Sequence, residues 1–126
     1  MNTQLIQVCV YGTLLRGQGN SGLLKNAVFL GRHEIKTGPM VSLGAFPALT
    51  SPKGDCSTPV ELYQVSQQNF DDLDRLEGVP DFYVRSLVPT IFGQAWIYWM
   101  PNLKDTSYPL IPNNDWRKYV DSRASI

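Results

Sequence analysis

Short runs of apolar residues, separated by polar and turn-forming residues, predict that this chain is built mainly of strands. The first predicted strand covers residues 5–10, and its unbroken apolar end at Val8, Cys9 and Val10 suits a strand buried on both faces. Glycines and prolines interrupt the apolar runs of residues 27–49, which predicts short, bent strands in that region.

Three further strands are predicted over residues 60–65, 83–90 and 91–100. The last two are rich in Val, Ile, Tyr and Trp, which favour strands. A tight turn near Phe92 and Gly93 is predicted to pair them as a hairpin.

Residues 67–77 form the clearest predicted helix, because good helix formers occupy most positions and no proline interrupts them. Ser66 is a favourable N-cap, and Gly78 stands where a glycine would end the helix. A short helical turn is predicted over residues 21–25. The tail from Pro101 onward is proline-rich and is predicted to be irregular.

The order of these elements, strands followed by one helix and more strands, predicts a mixed α+β domain with a small curved sheet or barrel. The chain has 126 residues, which suffices for one domain that buries a core without disulfides or metals. We therefore expect a single domain over residues 1–126.

Charge and composition exclude several classes of function. Lys plus Arg and Asp plus Glu number 11 each, and no basic run supplies the field that attracts nucleic acids or anionic membranes. No apolar stretch approaches the ~20 residues that span a bilayer, and the N-terminus has no leader pattern. Cys9 and Cys56 have neither zinc-site spacing nor a disulfide framework. We expect a cytoplasmic protein that binds neither nucleic acid nor membrane.

The tetrapeptide Tyr11, Gly12, Thr13 and Leu14 directly follows the first predicted strand. A glycine at that point lets the backbone bend and approach a bound molecule closely. Two interpretations are open for the tetrapeptide alone: a ligand-binding turn, or an ordinary tight turn at a strand end.

Glu77 falls within the apolar stripe that Phe70, Leu73 and Leu76 form on the predicted helix. At 3.6 residues per turn it lies about 20° from Phe70 and about 40° from Leu73 around the helix axis. A carboxylate there loses water, which raises its pKa and suits a general acid/base. The alternative is an exposed charge at a frayed helix end.

Three other acids, Asp71, Asp72 and Asp74, lie at the start and middle of the same helix. Acids in this part of a helix are favoured by its positive dipole end. We expect them to form a solvated face rather than to take part in catalysis.

Two segments together resemble the signatures of the γ-glutamylcyclotransferase family: VCVYGTLLRG at residues 8–17 and LDRLEGVP at residues 73–80. Their order and separation are also similar. The resemblance is to the small AIG2-like branch, which includes γ-glutamylamine cyclotransferase. It continues over most of the chain, through FPAL at 46–49, ELYQV at 61–65, YVR at 83–85, WIY at 96–98 and DWRKY at 115–119.

The resemblance implies a small mixed β-barrel with short flanking helices, and a reaction without metal or cofactor. In that reaction a small γ-glutamyl amine or peptide closes to 5-oxoproline and releases a free amine. Glu77 would be the general acid/base, and the backbone N–H groups around Gly12, Thr13 and Leu14 would hold a carboxylate or the developing oxyanion. The implied assembly is a monomer or a small homo-oligomer.

Three tyrosines are candidate substrate contacts. Tyr11 opens the turn, Tyr83 follows the Glu77 turn, and Tyr98 matches a family tyrosine near the end of a late strand. For Tyr11 the alternative is a core aromatic. For Tyr98 it is a packed ring whose hydroxyl lies at the surface.

Other polar residues are assigned structural roles. Arg85 is expected to pair with an acid such as Glu61, and Arg16 either binds a carboxylate or orders its own loop. His33 is expected at the surface or in a strand.

Val60 occupies a position where many members of the family carry glycine. Its larger side chain either narrows the space near the site or packs on the other face of its strand.

Two other functions compete with catalysis. A binding module would use the same turn and cavity to hold a small anionic or amide ligand, and a related enzyme would act on a different ligand. An interaction protein using Trp96, Trp99 and Trp116 is a third reading. The loops at residues 38–43 and 103–114 do not resemble any one branch of the family closely enough to identify the group carried by the departing amine.

Overall fold

The computed structural model describes residues 6–103 and 108–124. In chain order its strands and helices are β1 (Ile6–Val10), β2 (Val28–Thr37), β3 (Met40–Ser42), β4 (Pro47–Leu49), β5 (Cys56–Val65), α1 (Gln67–Glu77), β6 (Val84–Thr90), β7 (Gly93–Trp99) and α2 (Trp116–Ala124). Two short 3-10 turns span Ser21–Leu24 and Pro112–Asn114. Of the helices in these described ranges, none is long and apolar enough to cross a bilayer.

β1 lies in the middle of a five-stranded sheet with the order β2-β5-β1-β7-β6. It pairs antiparallel with β5 and parallel with β7. Val8, Cys9 and Val10 are buried, as expected for a strand covered on both faces. The first residue of the predicted strand, Leu5, lies outside the described residues.

A second sheet of two strands, β3 and β4, joins the end of the first. The amide of Met100 donates a 2.9 Å hydrogen bond to the carbonyl of Leu49, which links β4 to the segment after β7. The predicted α+β fold class is confirmed, and the predicted small curved sheet or barrel takes the form of a mixed five-stranded sheet joined to a two-stranded one, with short helices.

Helix α1 begins and ends where the sequence predicts. The Ser66 hydroxyl accepts a 3.1 Å hydrogen bond from the Asn69 amide, and Gly78 ends the helix with a left-handed φ of 66°. Phe70 and Leu73 are buried against the sheet. Leu76, predicted in the buried stripe, is 40% exposed, because the last turn of α1 passes over a cavity rather than over packed side chains.

Two strand predictions were too short. β2 is one ten-residue strand rather than several short ones, and β5 begins at Cys56 instead of Val60. The reason is their mutual pairing, which runs from Val28 opposite Gln64 to Thr37 opposite Cys56. A bulge near Gly31 absorbs the irregularity that the glycine signals in the sequence.

The prediction of an irregular tail was also wrong in its last part, where α2 forms. Asp115 Oδ1 accepts a 3.1 Å hydrogen bond from the Lys118 amide at the start of this helix. Trp116 is buried in the hydrophobic core, so packing against that core stabilises a helix that is too short to be stable alone.

Candidate functional site

A cavity of about 410 Å³ lies between the end of β1, the loop that follows it, and the C-terminal turn of α1. Every candidate site residue from the sequence lines this cavity: Tyr11, Gly12, Thr13, Leu14, Glu77, Tyr83 and Tyr98. The two signature segments are distant in sequence, and the fold brings them together at this one cavity.

The loop after β1 is folded back on itself by its own hydrogen bonds. The Asn20 amide donates to the Thr13 carbonyl at 2.8 Å, and the Asn20 side chain donates to the Thr13 hydroxyl at 2.8 Å. Among hydrogen bonds of the described residues outside the helices and strands, none is donated by the amides of Gly12, Thr13 or Leu14. Within the part of the chain that the structure describes, these three N–H groups thus have no partner in a loop or turn.

Gly12 is required by a close approach of two chain segments. A Cβ at this position would lie 2.7 Å from Pro47 Cγ and 2.9 Å from its Cδ. Atoms at that separation overlap, so only glycine allows the end of β1 to pack against β4. Because both residues line the cavity, this contact also fixes the shape of its wall.

Glu77, the last residue of α1, is half-buried and forms part of the cavity wall. Burial raises the pKa of its carboxyl group from about 4.5 to about 7. A carboxyl group with that pKa exchanges a proton readily near neutral pH, which is the property that general acid/base catalysis requires.

The hydroxyl groups of two cavity tyrosines are bound to the backbone. Tyr11 donates a 2.7 Å hydrogen bond to the Tyr98 carbonyl and accepts one at 3.3 Å from the Leu49 amide. Tyr83 donates a 2.6 Å hydrogen bond to the Pro47 carbonyl. Both residues are buried and line the cavity, and burial raises the pKa of both phenols, so both are neutral at physiological pH.

Tyr98 belongs to a polar cluster between α1 and the β6–β7 hairpin. Its hydroxyl donates a 2.7 Å hydrogen bond to Asp74 Oδ1. The Arg85 guanidinium also binds Asp74, at 3.0 and 3.2 Å, and lies over the rings of Phe70 and Trp96. Burial, followed by the hydrogen bond to Asp74, raises the pKa of Tyr98.

Two sequence predictions about charges are corrected by this cluster. Asp74 is not part of a solvated acidic face, because it points toward β6 and β7 and holds Arg85. Arg85 has the expected structural role, but its acidic partner is Asp74 instead of Glu61. The sequence does not reveal this pairing, since it depends on where the hairpin docks on the helix.

Glu61 is 1% exposed and has a different set of partners. Its Oε1 accepts from the Arg16 amide at 2.9 Å and from the Tyr63 hydroxyl at 3.2 Å. Its Oε2 lies 3.3 Å from Arg32 Nε and 3.1 Å from the Arg117 guanidinium. One buried carboxylate thus joins β2, β5, α2 and the loop after β1. In the sequence, the signal for a buried Glu61 was its position among apolar residues in the predicted strand over residues 60–65.

The other residues that the sequence analysis discussed, Arg16, His33 and Val60, do not line the cavity. The Arg16 guanidinium is 3.9 Å from the ring centroid of Phe29, and its carbonyl accepts a 2.6 Å hydrogen bond from Arg117, so this residue orders its own loop. His33 lies in β2, as expected. Val60 is buried and does not line the cavity, so it packs without narrowing the site.

Several cavity residues were not predicted as site residues. Asn20 lies in the loop after β1, and Ala45, Phe46 and Pro47 lie before and at the start of β4. Leu76 belongs to the last turn of α1, and Phe82 lies in the segment between α1 and β6. Phe46 and Pro47 were within a segment of family resemblance, so their sequence carried a signal. Leu76 also lies within such a segment, at residues 73–80, whereas Asn20, Ala45 and Phe82 are recognisable only from the fold.

Cys9 also lines the cavity, but burial raises the pKa of its thiol to about 12. The neutral thiol is a poor nucleophile at physiological pH, so chemistry at this site does not depend on a thiolate. Among residues 6–103 and 108–124, no group of three or more His, Cys, Asp or Glu side chains is arranged to hold a metal ion.

Comparison with known proteins identifies relatives along nearly the whole chain. Residues 8–118 match the family described as Gamma-glutamyl cyclotransferase, AIG2-like. A Vibrio cholerae protein named for the gamma-glutamylcyclotransferases is 38% identical over 114 residues, which cover 90% of this chain and 96% of that protein. The gamma-glutamylcyclotransferase family protein YtfP of Escherichia coli K12 is 32% identical over 111 residues, covering 88% of this chain and 96% of YtfP.

The fold has relatives among solved structures. The crystal structure of the uncharacterized protein PH0828 from Pyrococcus horikoshii superposes with a TM-score of 0.78 at 26% identity, over 95% of this chain and 97% of that one. The matches in sequence and the similar fold agree with the two signature segments, which meet at the cavity. The chain belongs to the AIG2-like gamma-glutamyl cyclotransferase family.

Proposed function

We propose that this protein cyclises a γ-glutamyl amine or peptide to 5-oxoproline and releases a free amine, with Glu77 as the general acid/base. The observation that carries this proposal is the half-buried Glu77 carboxyl group, whose pKa is raised to about 7, facing the same cavity as the turn after β1. The names of the relatives support the reaction class.

The chemistry needs one nucleophile, one carbonyl and one proton carrier. The α-amino nitrogen of the substrate forms a bond to its own γ-carbonyl carbon, and the bond from that carbon to the departing nitrogen breaks. Of the three protons of the starting ammonium group, one stays on the lactam nitrogen and two end on the released amine. Glu77 as carboxylate accepts a proton from the α-amine and as carboxylic acid delivers it to the departing nitrogen. No water is consumed.

The turn after β1 supplies the second element. The amides of Gly12, Thr13 and Leu14 would hold the α-carboxylate of the substrate or the oxyanion that develops on the γ-carbonyl oxygen. Fixed amide dipoles serve this purpose well, because they need little reorganisation as the charge appears. The rings of Tyr11, Tyr83 and Tyr98 would enclose the glutamyl stem and hold it bent for closure.

The test is to incubate the purified protein with a panel of γ-glutamyl amides and peptides and to measure 5-oxoproline and free amine. We expect equal amounts of both products. Glu77→Gln should lower kcat by about 10²–10⁴-fold, since removal of a positioned acid/base costs that much. Asp71→Asn, which alters an exposed acid on the same helix, is the matched control and should retain activity.

Two outcomes would contradict the proposal. The first is the absence of 5-oxoproline with every substrate, and the second is full turnover by Glu77→Gln. A protein that binds a γ-glutamyl compound equally well before and after Glu77→Gln, and returns it intact, would be a binding module instead. Calorimetric titration with the same compounds separates these cases.

A further inference from the structure

A second cavity, of about 280 Å³, lies between the loop after β1, strands β2 and β5, and helix α2. Its apolar lining includes the buried side chains of Leu15 and Val60. Tyr11, at the start of the loop, lines this cavity as well as the first one. The two cavities thus share a wall residue, but the second one has polar groups of its own.

Two guanidinium groups at the second cavity share one carboxylate. Arg32 Nε lies 3.3 Å and Arg117 Nη2 lies 3.1 Å from the same oxygen, Glu61 Oε2. Glu61 is buried, whereas the side chain of Arg32 is 63% exposed. A guanidinium has five N–H donors in a fork that fits a carboxylate, so Arg32 can bind a second carboxylate from the cavity side.

The other charged residues that line the second cavity lie just before α2 or on it: Asp115, Lys118 and Asp121. Cationic and acidic side chains are therefore equal in number around this cavity, at three each. One negative charge is favoured beside Arg32, where the two guanidinium groups outnumber Glu61. A polyanion such as phosphate would also meet the repulsion of the two aspartates.

Trp116 contributes a donor that has no acceptor. It lines the second cavity and is 4% exposed, and among the described residues its indole N–H has no hydrogen-bond partner. A buried N–H without a partner is costly, so an acceptor oxygen from a ligand would be stabilised here. The nitrogen itself is covered, so this contact requires a small shift of the indole, as is common for side chains at binding sites.

We propose that the second cavity binds a small monocarboxylate with a compact apolar body. The carboxylate accepts hydrogen bonds from the Arg32 guanidinium and the Trp116 indole, and the apolar body lies against Leu15 and Val60. Apolar walls with a few placed polar groups are typical of small-molecule sites. This site is separate from the one proposed for catalysis and does not depend on the reaction there.

The groups at the second cavity also hold the loop after β1. Glu61 Oε1 accepts a 2.9 Å hydrogen bond from the Arg16 amide, and the Arg117 guanidinium donates a 2.6 Å hydrogen bond to the Arg16 carbonyl. An opening that exposes the Arg16 amide separates it from Glu61 and so disturbs the ligand site. A bound carboxylate therefore stabilises the loop that also lines the first cavity.

The first test is a titration with 4-methylpentanoate, followed by proton–nitrogen correlation NMR. We expect a Kd of about 0.1–1 mM, which is typical of a ligand with about eight non-hydrogen atoms. The chain has three tryptophans, and Trp116→Phe identifies the indole signal of Trp116 by its loss. That signal should move downfield on binding, because the N–H gains an acceptor.

Two further ligands test the chemistry of recognition. The amide 4-methylpentanamide has the same shape without the charge, and it should bind at least about tenfold more weakly, as expected when a hydrogen bond to a charged group is lost. Inorganic phosphate should bind more weakly than 4-methylpentanoate, because of the two aspartates at the cavity.

Arg32→Gln tests the proposed partner of the carboxylate. The side chain is exposed and Glu61 keeps Arg117, so the fold should stay intact, which circular dichroism would verify. The Kd for 4-methylpentanoate should rise about tenfold or more. Lys36→Gln, which removes a cation from β2 outside the second cavity, is the matched control and should change Kd less than about twofold.

Hydrogen exchange tests the connection to the loop. At a 4-methylpentanoate concentration ten times Kd, exchange of the Arg16 amide should slow about tenfold, in proportion to the ratio of bound to free protein. The Asn69 amide, which bonds to Ser66 at the start of α1, is the internal control and should keep its rate.

The outcomes decide each part separately. The site is wrong if 4-methylpentanoate shifts no signal at the second cavity up to about 10 mM, or if Arg32→Gln binds it as well as wild type. Tighter binding of the amide or of phosphate would overturn the monocarboxylate class. An unchanged exchange rate at Arg16 would overturn the connection to the loop. None of these measurements requires 5-oxoproline to form, so failure here and failure of the proposed function are distinguishable.

Discussion

The phenol of Tyr98 donates a 2.7 Å hydrogen bond to Asp74 Oδ1, and this bond connects strand β7, at the cavity wall, to helix α1. Asp74 lies one turn before Glu77 on the same helix. Arg85 binds both carboxylate oxygens of Asp74, so the helix is attached to both strands of the β6–β7 hairpin. The position of the last turn of α1 therefore depends on Asp74 and Arg85, which do not line the cavity, as well as on Tyr98, which does.

Tyr98→Phe should remove one hydrogen bond while Asp74 keeps Arg85 as a partner. We expect the free energy of unfolding to fall by about 0.5–2 kcal/mol, as for other buried side-chain hydrogen bonds. kcat should fall far less than in Glu77→Gln, because Glu77, the proposed acid/base, is still present. Urea denaturation and steady-state kinetics measure the two effects. Tyr119→Phe, on α2, is the control, and an equal loss in both variants would contradict the role of this hydrogen bond.

Glu77 should make the fold less stable as pH rises from about 4.5 to about 7. In this window the folded protein retains a proton that the unfolded chain has already released, so the free energy of unfolding falls with rising pH. Glu77→Gln removes this dependence. The variant should gain about 1–3 kcal/mol relative to wild type between pH 4.5 and pH 8, measured by denaturation at each pH. Asp71→Asn should show no such gain, and a pH-independent difference for Glu77→Gln would contradict the burial of this group.

Gly12→Ala should destabilise the fold through the contact with Pro47. The new methyl group would lie 2.7 Å from Pro47 Cγ, so the end of β1 or the start of β4 must shift. Overpacking of this kind costs about 1–3 kcal/mol in unfolding free energy, and it should also raise KM because both residues shape the cavity. Gly19→Ala is the matched control, since a Cβ there meets nothing within 4 Å. Equal stability of the two variants would show that this contact can relax freely.

Glu61→Gln should be more damaging than the loss of an ordinary surface charge. The substitution leaves Arg117 and Arg32 without their carboxylate and weakens the hold on the loop after β1. Breaking a buried ion pair by removing one partner costs about 3–5 kcal/mol, and the exposure of Arg32 places this case at or below the lower end. Glu34→Gln, in the exposed part of β2, is the control. Thermal denaturation of both variants measures the difference, and a loss below about 0.5 kcal/mol for Glu61→Gln would contradict this role.

Local patterns were sufficient for the features that depend on nearest neighbours along the chain. Helix α1 follows from its caps at Ser66 and Gly78 and from its apolar periodicity, and the same periodicity placed Glu77 toward the interior. The long pairing of β2 with β5 was missed, because the strands are stabilised by each other and not by the propensities of their own residues. Helix α2 was missed for a similar reason, since it depends on the burial of Trp116.

The sequence by itself determined the α+β class, the clearest helix, and the two motifs that resemble the family's signatures, because periodicity, capping and turn residues act over a few positions. Only the tertiary structure decided that Gly12 is needed against Pro47, that Asp74 rather than Glu61 binds Arg85, and that Leu76 and Phe82 line the cavity. These facts depend on which distant segments meet. A contact between residues far apart in the chain leaves no periodic signal in either segment, so it is settled only when the sheet, the helix and the loops pack together.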